Sequence, residues 1–217
     1  MKTTTLSIIA IVFGSSFCFA QQNNEDKSIG IGLKVGYNFA KVTGAASINA
    51  QNTNGFHVGA FYSPGAGRSK GFGYRTEIIY SKQGYDFAKN NTTGTVNLDY
   101  ILLPQLTTLN ITKFVQLQAG VQIAFLINAK ADSTTTNGNN TSYGPVADYY
   151  NKIDYGFAGG IEIHPFKGLL VGARLNISLA DTNKEQPTGT PLPVFIPAIS
   201  EDKLRNNVLQ LFAGYKF

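Results

Sequence analysis

Large apolar side chains recur at every second position along most of this chain. In the segment 29–39, Ile29, Ile31, Leu33, Val35, Tyr37 and Phe39 alternate with Gly30, Gly32, Lys34, Gly36 and Asn38. A period of two is that of a β-strand whose faces meet different surroundings. The segment 56–63 repeats it, with Phe56, Val58, Ala60 and Tyr62 opposite His57, Gly59 and Phe61. A third, 72–85, sets Phe72, Tyr74, Ile78 and Tyr80 against Arg75, Glu77, Ser81 and Gln83. The fourth, 96–108, is less regular: Leu98, Tyr100, Leu102 and Leu106 share a face, while Ile101 and Leu103 lie opposite. Pro104 in its middle has no N–H to donate, which predicts a bulge or a break in the ladder. Alternation is clearest over 115–128, where Val115, Leu117, Ala119, Val121, Ile123, Phe125 and Ile127 face away from Gln116, Gln118, Gln122 and Asn128. Segment 153–163 sets Ile153, Tyr155, Phe157, Ile161 and Ile163 against Asp154 and Glu162, and 169–179 sets Leu169, Val171, Leu175 and Ile177 against Arg174 and Asn176. The last, 208–217, turns Leu209, Leu211, Ala213, Tyr215 and Phe217 one way.

About eight such segments of roughly ten residues suit strands that cross a bilayer at a tilt, which takes about 9–11 residues. A β-sandwich would alternate too, so the connections decide. Those at 64–71, 109–114 and 165–168 are short, and those at 40–55, 86–95, 129–152 and 181–207 are longer and polar. Sorting by length to opposite ends is the habit of outer-membrane barrels, with the short turns periplasmic. The aromatics sort the same way. Tyr37, Phe39, Phe56, Tyr80, Tyr100, Phe125, Tyr155 and Phe157 fall toward the long loops, and Tyr62, Phe72, Tyr74, Phe114, Tyr215 and Phe217 toward the short turns. Two girdles are what interfacial aromatics form. The expectation is an all-β fold, a closed antiparallel up-and-down transmembrane β-barrel of about eight strands. It occupies 29–217 in the bacterial outer membrane, with both termini periplasmic.

The first residues change the picture by adding a destination. Lys2, an apolar run over 6–13 and small residues up to Ala20 predict a cleaved signal peptide at 1–20, leaving 21–28 as a short periplasmic segment. The apolar run is too short to span a bilayer. Bulky Phe17 ahead of Cys18 argues against a lipoprotein signal. Cleavage removes the single Cys and the single Met, so the mature chain has no disulfide and no thiolate site. Composition agrees with close-packed strands: 23 Gly, 15 Phe, 11 Tyr and only 14% charged residues. The net charge of +5 comes from basic residues scattered singly, which argues against a nucleic-acid partner.

The stretch 208–217 resembles the C-terminal signal read by the outer-membrane assembly machinery, carried by Leu211, Ala213, Tyr215 and Phe217. Together with Gly32-Leu-Lys-Val-Gly-Tyr-Asn38, Glu77-Ile-Ile-Tyr-Ser-Lys-Gln-Gly84, Tyr100-Ile-Leu-Leu-Pro-Gln-Leu106 and Gly159-Gly160, it makes the chain similar to the PorT-type outer-membrane β-barrel family of Bacteroidetes over 29–217. That resemblance implies an eight-stranded barrel with membrane lipid and the assembly machinery as partners. It brings no catalytic residues.

Parity places Lys34, His57, Arg75, Glu77, Asp99, Asp154, Glu162 and Arg174 inside the barrel. Eight strands leave a lumen just wide enough for side chains, and an unpaired buried charge costs several kcal/mol. A plug of ion pairs is expected; the alternative is a small polar pore. A lipid-active hydrolase would need a Ser–His–acid set at the rim. His57 points inward and His164 precedes a short turn, so no catalytic residue, metal site or cofactor is assigned. The Asn/Thr-rich stretch 132–141 reads as solvated surface. The loop 181–207 carries Pro187, Pro191, Pro193 and Pro197 around Val194, Phe195 and Ile196, which either pack across the mouth or meet an extracellular or envelope partner. The functional expectation is a non-enzymatic envelope barrel with a structural or interaction role through its long loops; a hydrolase and a minor pore are the alternatives.

Overall fold

The computed structural model describes residues 30–44, 48–64, 71–89, 91–132, 134–136, 139–141, 144–184, 192–196 and 203–217. The signal peptide at 1–20, the segment at 21–28 and Pro187, Pro191 and Pro197 lie outside the described residues. In chain order the strands are β1 (Ile31–Thr43), β2 (Thr53–Tyr62), β3 (Gly71–Lys89), β4 (Thr92–Asn110), β5 (Val115–Ala131), three short pieces β6 (Thr134–Thr136), β7 (Asn139–Thr141) and β8 (Gly144–Pro145), then β9 (Ile153–Ile163), β10 (Leu169–Ser178) and β11 (Arg205–Lys216). Eight of them form one antiparallel ring in the order β1-β2-β3-β4-β5-β9-β10-β11. The ring closes where β11 pairs with β1, from Gly32↔Lys216 to Thr43↔Arg205. β6 to β8 decorate the long-loop end, outside the ring.

The ring exists because its two surfaces are opposite in kind. Ile31, Leu33, Val35, Tyr37 and Phe39 on β1 stand exposed on the outside, as do Leu209, Leu211 and Tyr215 on β11. Lys34, Asn38, Arg75, Glu77, Glu162 and Arg174 are buried inside. The lumen is narrow enough that its glycines are spacers. A Cβ on Gly32 would lie 2.2 Å from the Phe61 ring, and one on Gly36 would lie 2.6 Å from the His57 ring. Larger residues there would displace the side chains that fill the bore.

Most strands run further toward the long loops than the alternation predicted. β3 and β4 have 19 residues each and β5 has 17, against 10 to 13 for the other ring strands. At about 3.3 Å per residue the excess carries this corner on the order of 20 Å beyond the rest. The stretch 86–95, expected as a long polar loop, is instead strand up to Lys89 and from Thr92 onward, with Asn91 in a turn at φ 60°. The reason is an inversion of polarity. Above Tyr80, Lys82, Asp86, Asn97 and Lys130 face out while Tyr85, Phe87, Val96, Leu98 and Ala131 are buried. The upper strands are a water-facing sheet with an apolar interior, the reverse of the band below.

β4 therefore resolves differently from its sequence reading. Leu98, Tyr100, Leu102 and Leu106 all turn inward, so Tyr100, expected in the upper girdle, is buried. The expected bulge is not at Pro104, which pairs with Gln122 of β5. The β3–β4 ladder does break there, because Thr76↔Gln105 is followed by Ile79↔Leu102 with no pairs between at unchanged register. The bulge lies on β5 at Ile127, where Asp99↔Asn128 gives way to Tyr100↔Leu126. One extra residue reverses the facing of everything beyond it, so Asn128 turns outward.

A polar clip sits beside the interrupted ladder. The Tyr74 hydroxyl donates to Gln105 Oε1, and Gln105 Nε2 donates to Thr76 Oγ1 at 2.7 Å, all on the outer face of β3 and β4. Replacing Gln105 by Ala should cost about 1–2 kcal/mol, since the hydrogen bonds to Tyr74 and Thr76 are lost in an apolar setting. Thr107→Ala on the same face should change little. The midpoints of urea unfolding check both.

Candidate functional site

The lumen holds one continuous charged network. Glu77 on β3 accepts Lys34 Nζ of β1 at 2.6 Å and both terminal nitrogens of Arg174 on β10, at 2.6 and 2.9 Å. Glu162 on β9 accepts Arg75 in the same two-pronged way, at 2.6 and 2.8 Å. Paired N–H···O bonds to a carboxylate combine charge with fixed geometry. Gln118 of β5 joins the halves: its Nε2 donates to Glu162 at 2.8 Å, and its Oε1 accepts from Arg174. Arg75 lies over the Phe61 ring and Lys34 over the Phe212 ring, each 4.6 Å from the centroid. The side chains of Lys34, Arg75, Glu77, Glu162 and Arg174 are all 0% exposed. The arrangement cross-braces the wall and closes the bore.

Toward the long loops the filling changes to hydrocarbon. Ile79, Leu98, Tyr100, Leu102 and Leu126 continue into a cluster with Ile48, Tyr150, Phe195, Ile196 and Leu204 from the connections. Phe195 packs on Phe87 with ring centroids 5.7 Å apart. The Tyr85 hydroxyl donates to the Phe195 carbonyl at 2.9 Å and meets the Tyr150 hydroxyl at 2.8 Å. Burial, with Tyr85 alongside, pushes the Tyr150 phenol well above its ordinary value, so the pair stays neutral. Of the two roles open to Val194, Phe195 and Ile196, packing across the mouth is the one the buried Phe195 and Ile196 take.

Five of the eight residues placed inside by parity thus meet in the network: Lys34, Arg75, Glu77, Glu162 and Arg174. His57 is inside but stands apart, its Nδ1 2.8 Å from Asn38 Oδ1. Asp154 is also inside, higher up, where the Ser178 hydroxyl donates to it at 2.7 Å. Asp99 is not inside. It faces outward opposite Lys82 and accepts from Asn128 Nδ2 at 2.8 Å, because β4 turns its larger apolar set into the mouth. Between network and cap, Gln83, Gln122, Asp154, Asn176, Ser178 and Asn206 line a cavity of about 10 Å³. That is room for about one water.

Two members of the network carry no mark in the charge pattern of the sequence. Gln118 had the inward parity, but an amide carries no charge to mark it. His164 lies just past the end of β9, and its Nε2 reaches Glu162 at 3.0 Å. Among the described residues, no three His, Cys, Asp or Glu gather as a metal site. No helix among them is long and apolar enough to cross a membrane, a statement that leaves strands untouched.

The sequence of residues 19–184 matches the family model described as "Outer membrane protein beta-barrel domain". No curated protein matches the chain. Among solved structures, neisserial surface protein A is 15% identical over 88% of this chain and 100% of its own, with a TM-score of 0.51. Ail of Yersinia pestis, solved with the heparin analogue sucrose octasulfate, is 15% identical over 86% and 97%, with a TM-score of 0.49. OprG of Pseudomonas aeruginosa is 12% identical over 88% and 97%, with a TM-score of 0.43. At such identity, the likeness to neisserial surface protein A is one of fold.

Proposed function

The chain belongs to the outer membrane protein β-barrel domain family, and from that premise we propose a closed, non-enzymatic envelope barrel that acts through its long-loop end. One observation carries this reading: the bore is filled along its length. Ion pairs occupy the lower part, hydrocarbon the mouth, and the cavity between them measures about 10 Å³. A hydrated ion has no room to pass. Folded protein added to a planar bilayer should therefore give no conductance steps, with heat-modifiable migration on unboiled gels as the check that it is folded. Sustained steps from such protein would overturn the reading in favour of a minor pore.

The hydrolase alternative draws no support from the two histidines. Their ring nitrogens meet Asn38 and Glu162, within the lumen and at its lower end. At the long-loop end, the raised corner of β3, β4 and β5 is polar outside and apolar within. An extracellular or envelope partner would meet that surface.

The finer assignment rests on sequence motifs. The chain is read as PorT-type and of Bacteroidetes origin, with a signal peptide at 1–20, a periplasmic segment at 21–28 and a barrel domain at 29–217. Leu211, Ala213, Tyr215 and Phe217 serve as the signal for the assembly machinery, and both termini lie in the periplasm. The exposed outward positions of Leu211, Tyr215 and Phe217 suit a signal that another protein reads from outside the barrel.

A further inference from the structure

The outer face of the ring carries no charged side chain between its aromatic girdles, on any of its eight strands. The first charge beyond that band, toward the long loops, is basic on five strands. Lys41 follows Phe39 by two residues on β1, and Lys82 follows Tyr80 by two on β3. Lys130 stands beyond Ile127 on β5, Lys152 immediately precedes Ile153 of β9, and Arg205 shares the face of Leu209 on β11. Lys41 and Arg205 are diagonal neighbours across the closing seam, since Thr43 pairs with Arg205 and Lys41 with Asn207. Lys41, Lys130, Lys152 and Arg205 are exposed.

Four of the described acids at this end accept hydrogen bonds from the protein's own donors. Asp86 accepts from Thr95 Oγ1 at 2.6 Å, Asp132 from Asn97 Nδ2 at 2.8 Å, and Asp181 from the Asn183 and Leu204 amides at 3.0 and 3.2 Å. Asp99 accepts from Asn128 and stands opposite Lys82, which is the most compensated of the five cations. Among the described residues, no ion pair within 4.0 Å involves any of these cations. The aromatic girdle marks the level where hydrocarbon ends, and the next pleat outward meets headgroups. Long basic side chains there keep their stems in the apolar layer and their charges at the surface.

We infer that Lys41, Lys82, Lys130, Lys152 and Arg205 form a collar that binds the phosphates of lipid headgroups in the leaflet nearest the long loops. The inference rests on the barrel spanning a bilayer. It assigns the family's membrane surface a chemical preference, for lipids bearing an uncovered phosphate.

The test compares the full chain with the variant Lys41→Gln/Lys130→Gln/Lys152→Gln/Arg205→Gln in nanodiscs of digalactosyldiacylglycerol, which has no phosphate, doped with spin-labelled phosphatidylglycerol. The parent should select the phospholipid about fivefold over the galactolipid at collar sites, and the variant should lose most of that selection. The half-variants Lys41→Gln/Arg205→Gln and Lys130→Gln/Lys152→Gln should each lose part of it, which keeps the test decisive if the fourfold variant folds poorly. Undiminished selection in the variants would overturn the collar. So would an equal loss on changing Lys113 and Lys167 to Gln at the opposite end, or full competition by inorganic phosphate. Absence of heat-modifiable migration in every lipid would instead overturn the bilayer-spanning reading beneath it.

Discussion

Glu77→Gln should lower the unfolding free energy of the barrel by about 3–5 kcal/mol, the cost of leaving buried charge without its partner. Glutamine keeps the shape of the side chain, so the loss reports charge rather than packing. In the parent, Glu77 accepts Lys34 at 2.6 Å and Arg174 through both terminal nitrogens, and Arg75 stands 3.9 Å away. After the change, three cations would share the single carboxylate of Glu162, with none of these side chains exposed. Urea unfolding in lipid vesicles, followed by gel migration, measures the shift. Adding Lys34→Met to Glu77→Gln should recover part of the loss, because residues in one network do not contribute additively. A Glu77→Gln barrel within about 1 kcal/mol of the parent would mean the network does not brace the wall, since that is the scale of an exposed pair.

The second large effect is expected at the mouth. Phe195→Ala removes a fully buried ring that packs on Phe87, a change that costs about 3–5 kcal/mol in a closed core. Phe195 belongs to a connection rather than to the ring, so the cost should appear as local opening and leave the global unfolding midpoint nearly unchanged. Proteolysis in the 181–204 connection should rise by roughly a hundredfold to a few thousandfold, following the population of the opened state. Tyr85→Phe should produce a smaller rise, since it removes one hydrogen bond to the Phe195 carbonyl. Neither variant should conduct in planar bilayers, because the ion-pair network lies beneath the cap. An equal loss in the global midpoint would show that cap and ring unfold as one unit.

The barrel was legible wherever one face of a strand is apolar and the other is not. β1, β5, β9, β10 and β11 show that contrast through the band, and parity alone brought Lys34, Arg75, Glu77, Glu162 and Arg174 to one place. The contrast fails where the environment inverts. The rule of apolar out and polar in turns Asp99 inward and Tyr100 to the girdle, but both sit above the band, where the interior is hydrocarbon and the exterior is wet. The stretch 86–95 looked like a loop because its outward residues are polar, although Tyr85, Phe87, Val96 and Leu98 keep the period of two facing inward. At Ile127 the sequence looks regular, and a one-residue bulge with no Gly or Pro to announce it reverses the facing beyond. Gln118 carries no charge and His164 lies past the end of β9, so alternation weighted by charge marks neither.

The seam between β1 and β11 constrains the order of events in assembly. Lys34 lies on the same side of that seam as Glu77, two strands away through β2, but Arg174 comes from the strand next to β11 and reaches Glu77 across the bore only when the ring is shut. An intermediate with β11 undocked would present open backbone groups and uncompensated ions to hydrocarbon at once, each carrying a penalty of several kcal/mol. Closure must therefore precede or accompany the crossing of the bilayer. A half-inserted hairpin series is not a resting point for this chain, and its biogenesis should behave as a single concerted step from water to membrane.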